Sequence, residues 1–124
     1  QDRSAPTTLV EWFDLRGEQA RNARAWNRLF ASYDAVIAPT LGVTAFPHDP
    51  TPLPKRVLDI DGEPTPFGLQ FAFPGLATFP MLPATSFPIG VDPDGMPIGV
   101  QAIADTYLDH KAIAVARLAH GAMQ

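Results

Sequence analysis

All but one of the 14 prolines among these 124 residues fall between Pro39 and Pro97. The content, about 11%, is roughly twice the usual level. Proline fixes φ and has no N–H to donate, so it interrupts helices and central strands. A proline-rich linker would also be rich in polar residues. This stretch carries Phe46, Phe67, Phe71, Phe73, Phe79 and Phe87 instead. Rigid, irregular backbone bearing large apolar side chains is expected to pack against something.

Regular elements are expected on either side of these interruptions. Thr7 or Thr8 can cap a helix that runs to about Ser32, with Ala23, Trp26, Leu29 and Phe30 at helical spacing and Gly17 as a weak point. "DAVIAPT" reads as a short strand stopped by Pro39, and residues 41–55 as loop. "RVLDIDGEPTPF" alternates around Asp61-Gly62, a two-residue hairpin signal. Residues 67–79 read as a helix bent or split by Pro74 and Gly75. Strands near 85–90 and 97–103 flank the turn "DPDG". Asp109 sits where an N-cap belongs, ahead of a last helix carrying Ile113, Ala116, Leu118 and Ala119.

The strands "AVIA" and "IGVQAIA" are apolar at nearly every position, not every second one. Such runs suit strands covered on both faces, as in an α/β sheet. Full cover takes more helices than this chain offers, so further polypeptide or a partner is expected. At 124 residues, with 46% hydrophobic and 18% charged residues, the chain is globular and at most one domain. Residues 1–6 are expected to form a flexible tail. A net charge of −4 argues against nucleic acid, and Arg21, Arg24 and Arg28 read as a solvated helix face. Without cysteine there is no disulfide frame or thiolate metal site. No apolar run is long enough to span a membrane, no signal peptide is visible, and a cytoplasmic location is expected.

The residues assemble no catalytic constellation. Ser86 reads as a satisfied core hydroxyl in an apolar strand, while Ser4 and Ser32 lie in the tail and at a helix end. Lys55 and Lys111 are far from any serine in sequence. His110 and His120 are not at metal-pair spacing, and His48-Asp49 reads as a solvated loop pair. There is no glycine-rich phosphate loop. No cofactor is expected.

"TFPMLPATSFPIGVDPDGMPIGVQAIA", residues 78–104, resembles the C-terminal signature of the amidase signature family. The matching positions are Leu82, Pro83, Ala84, Ser86, Pro88 and Gly90, then Asp94, Gly95, Pro97, Gly99 and Gln101. "LFASYDAVIAPTLGVTAFP" is similar to the helix, strand and loop that precede it in that family, and "RVLDIDGEPTPF" to its hairpin. Together these cover roughly residues 8–121 in the family's order.

The resemblance implies an α/β fragment, a partial domain over residues 1–124, from the C-terminal part of the amidase signature fold: mixed-sheet strands flanked by helices, with a β-hairpin. It implies an amide hydrolase whose lysine, cis-serine and nucleophilic serine lie upstream, so none of the triad is carried here and the fragment alone is expected to be inactive. The upstream polypeptide is the implied partner, and the isolated chain is expected to self-associate. The segment 67–79 is similar to one that lines the family's substrate pocket, which makes Phe71, Pro74 and Thr78 candidate substrate-binding residues. Members acting on glutaminyl-tRNA precursors have a carboxylate near the Phe71 position. An aromatic ring there implies an apolar or aromatic amide, since an ammonium would find no partner. Thr78 stands where the family usually has Asn, and Met81 where it usually has Gly. The rival reading is a non-catalytic binding or structural module.

Overall fold

Thr8 and Glu11 close a capping box at the first helix: the Thr8 N–H donates to Glu11 Oε2 at 2.8 Å and the Glu11 N–H to Thr8 Oγ1 at 3.3 Å. The bond from the Thr8 amide, then that from its hydroxyl, holds the Glu11 carboxyl below the ordinary glutamate range. Helix α1 (Leu9–Phe30) runs through Gly17 without a break. The computed structural model describes residues 6–123. Of the expected tail, only Pro6 falls within that range, exposed and in no regular structure; the rest lies outside the described residues.

Strand β1 (Val36–Pro39) ends at its proline. After a 3₁₀ turn at Leu53–Lys55, β2 (Val57–Ile60) and β3 (Glu63–Pro66) pair antiparallel around Asp61 (φ 55°) and Gly62 (φ 84°). Two consecutive positive φ values make a type I′ turn, which explains the glycine. A 3₁₀ segment, Phe67–Phe71, leads into the short helix α2 (Ala72–Thr78). Strands β4 (Ala84–Val91) and β5 (Pro97–Ile103) follow, then helix α3 (Asp109–Ala122). Asp109 is the first residue inside α3 and Leu108 holds the cap position, contrary to the expected N-cap. Tyr107, in a left-handed conformation (φ 62°), and the Leu108 N–H bond to Asp105 O at 3.0 Å turn the chain into the helix one residue early.

The larger sheet has the order β1-β5-β4, and every described pairing is antiparallel. Helices and strands thus form the expected α/β arrangement. Edge strand β4 carries Pro88 and a register shift between Pro88 and Gly90, both at home on an edge. Central β5 is covered on both faces. On one, Ile103 packs with Ala38, Ala77 and Leu82, against which Trp26 and Phe30 of α1 lie. On the other, Ala102 packs with Phe87 and with Ala116 of α3. Two-sided burial therefore holds for "QAIA", residues 101–104, but not for β1. Helix α3 covers β4 and β5 and leaves Ile37 51% exposed. The first turns of α1 are also open: Leu9, Val10, Trp12 and Phe13 are all at least half exposed. No helix among the described residues is long and apolar enough to cross a membrane.

Candidate functional site

The segment Phe67–Thr78 is held by two buried glutamines, one to the sheet and one to the loop after β1. Gln101, at the centre of β5, donates from Nε2 to Pro39 O at 2.9 Å and to Phe73 O at 2.8 Å. Gln70 accepts the Gly42 N–H at Oε1, 2.8 Å away. Gly42 is glycine for a steric reason: a Cβ there would sit 2.6 Å from Gln70 Oε1 and 2.9 Å from Phe73 Cε2.

From this anchored base the segment presents an exposed strip. Phe71, Pro74 and Thr78 are spaced i, i+3 and i+7, so they share one face. All three are exposed, Phe71 by 51%. Phe71 therefore does not belong to the chain's core. The Thr78 hydroxyl turns back to donate to Pro74 O. Phe71 continues an aromatic row. Its ring meets Phe67 edge-on at 5.6 Å, and Phe67 meets Phe46 at 5.7 Å. The Arg56 guanidinium lies 5.3 Å over Phe67.

Two shallow grooves flank the loop around Phe46. One, of about 300 Å³, is lined by residues 40–46 and 97–99. The other, of about 450 Å³, is lined by 43–47, Asp49 and 57–59. Phe46 lines both, while Phe71, Pro74 and Thr78 line neither.

Arg56 is fixed from the other side. Its Nη2 donates to Asp49 O at 2.8 Å and Thr51 O at 3.0 Å, with Asp49 Oδ2 3.7 Å from Nε. The Asp49 carboxyl also accepts the Thr51 N–H at 2.8 Å. Bonds to Thr51, and then the Arg56 charge, hold it below the ordinary aspartate range. Asp49 is thus a part-buried loop staple rather than half of a solvated pair, while His48 is exposed.

Ser86 departs from expectation. It is exposed on edge strand β4 rather than buried as a core hydroxyl, whereas Phe87 beside it on the opposite face is buried. Among the described residues no group of three His, Cys, Asp or Glu side chains could hold a metal. Arg21, Arg24 and Arg28 are exposed, and Arg21 pairs with Glu18 at 2.6 Å. Sequence reading passed over Gln70 entirely and saw Gln101 only as a motif position. A polar residue bounded by apolar neighbours, as in "VQAIA", is the one local signal that could have marked the latter.

Met81 has φ 62°, a left-handed conformation costly for a side-chain-bearing residue. The Leu82 N–H reaches back to Ala77 O at 2.9 Å and the Met81 N–H to Thr78 O at 3.2 Å, the bond pair of a Schellman helix stop. Glycine is the residue that geometry favours, which accounts for the glycine that the resembled motif has here.

Residues 6–113 match the family model described as Amidase. Fatty-acid amide hydrolase 2 of Homo sapiens is 36% identical over 76 residues, covering 61% of this chain and 13% of that protein. Fatty acid amide hydrolase of Medicago truncatula is 33% identical over 88 residues, 71% of this chain and 14% of that one. Indoleacetamide hydrolase of Bradyrhizobium japonicum is 32% identical over 106 residues, 85% of this chain and 21% of its own length. The chain belongs to the amidase family. It spans between 13% and 21% of the length of these relatives.

Proposed function

We propose that these residues are the C-terminal part of an enzyme that hydrolyses carbon–nitrogen amide bonds, with its catalytic triad upstream of them. They supply scaffold and one wall of the substrate pocket, made by Phe71, Pro74 and Thr78, for an apolar or aromatic amide. In the parent, a lysine draws the proton of the nucleophilic serine through a bridging serine. The serine oxygen attacks the carbonyl carbon, the amine leaves with a proton, and water then releases the acid. Backbone amides hold the oxyanion. None of these groups lies in the present residues, so the chain alone is inactive. Residues 1–124 are then one part of a larger domain, whose remainder covers the open apolar faces of α1 and β1. A cytoplasmic setting fits a chain without cysteine.

The observation that carries this reading is Phe71. It is an aromatic side chain, 51% exposed, in a stretch anchored at Gln70 and Phe73. Large apolar rings standing open beside immobile backbone suit a pocket wall. The test is Phe71→Asp in the full-length enzyme, assayed with an aryl amide and with an amide bearing a free ammonium. Because Phe71 is half exposed, the variant should fold. Aryl-amide kcat/KM should fall by the value of a lost apolar contact, about 1–3 kcal/mol, while the ammonium substrate loses less or gains. A stable variant with an unchanged ratio between the two substrates removes Phe71 from the site.

A further inference from the structure

We infer that Gln70 and Gln101 are positioning residues for the apolar wall: they fix the depth at which Phe67–Thr78 sits on the sheet, so substrate selectivity depends on them though neither touches substrate. The inference rests on the pocket reading above and extends it to the buried layer beneath.

Both side chains are almost fully buried, Gln70 3% and Gln101 5% exposed. Buried amides persist where they are hydrogen-bonded. What distinguishes these two is where their bonds go. Gln101 spends its donors on carbonyls of different elements, the end of β1 and the first turn of α2. Gln70 reaches the backbone of the loop after β1, at Gly42. That loop also lines the groove shared with residues 97–99. Three backbone points, at 39, 42 and 73, are therefore set relative to one another by two side chains. The close approach at Gly42 leaves no slack. Phe71 and Pro74 stand immediately beside these anchors, so a shift at Phe73 moves both. Thr78 follows through its bond to Pro74 O.

A merely structural role predicts something different. Loss of a buried hydrogen bond would then lower the folded fraction and reduce kcat alike for every substrate. Positioning predicts a change only for substrates long enough to reach the wall.

The test uses the full-length enzyme with Gln101→Met, Gln70→Met and Gly42→Ala, each assayed with an aryl amide and with propanamide. Methionine keeps the length and removes the hydrogen bonds. The alanine Cβ presses on both the Gln70 amide and the Phe73 ring. For the aryl amide, KM should rise about fivefold, the net worth of roughly one neutral hydrogen bond, with kcat within about twofold. Both constants for propanamide should stay within about twofold. Equal losses on both substrates, an unchanged aryl-amide KM, or failure of all three variants to fold would overturn the inference. If Phe71→Asp alters the substrate ratio and these variants do not, the pocket reading survives and only the present inference fails. If Phe71→Asp leaves the ratio unchanged, the pocket reading itself has failed.

Discussion

Replacing Met81 with glycine should stabilise the protein, an unusual direction for a substitution. Met81 occupies the left-handed region at φ 62°, where an L side chain costs about 1–2 kcal/mol. The side chain returns little, being 67% exposed at the helix stop. Glycine removes the clash but loses more backbone freedom on folding, about 0.5–1 kcal/mol. The net gain is about 0.5–1 kcal/mol. With an unfolding entropy of roughly 2.1 cal/mol/K per residue, that raises the melting temperature by about 2–4 °C for a chain of 124 residues. Thermal melts by circular dichroism, on this chain and on the full-length enzyme, give the answer. Met81→Ala is the control. It removes the thioether but keeps the Cβ that makes the conformation costly, so it should gain nothing. A glycine variant that melts below the starting protein, or an alanine variant that gains as much, would refute backbone strain as the cause.

Three further outcomes follow from the packing and charges. Ile103→Ala, at a fully buried site between β1, α1 and α2, should cost about 2–5 kcal/mol in urea denaturation, whereas Ile37→Ala, half exposed on β1, should cost less than about 1 kcal/mol. The Asp92 carboxyl is held below the ordinary aspartate range by the Thr44 hydroxyl at 2.7 Å, then by the Met96 and Asp94 amides. A depressed folded value means the stabilisation is complete above about pH 4 and is lost as pH falls through that lower value. The stability gap to Asp92→Asn should therefore be constant near neutrality and close in acid; a gap independent of pH would contradict it. Finally, the 124-residue chain expressed alone should self-associate through its open apolar faces, and Trp12→Ser with Phe13→Ser in α1 should lower its sedimentation coefficient. A monomer before any substitution would count against that.

The amino-acid sequence by itself determined the local pieces. The Thr8 cap, the Asp61-Gly62 hairpin and the turn at 92–95 appear where their residues demand, because each is specified by neighbours a few positions apart; the last helix appears too, one residue earlier than Asp109 as its cap would have it. The motif around residues 78–104 was enough to point to the family that the residue match at 6–113 establishes. Tertiary structure alone decided which strand is central. Nothing in "AVIA" or "IGVQAIA" says that β5 lies between β1 and β4. It alone left Ser86 exposed on an edge strand, buried Gln70, and joined Gln101 to carbonyls 62 and 28 residues away. It also put Met81 in a conformation that its side chain opposes, because the helix stop there is closed by backbone bonds and by Leu82 packing into the core with Ala77. Short-range chemistry is written residue by residue. The partner of a buried amide is not, since the contact that satisfies it exists only once distant segments have been packed together.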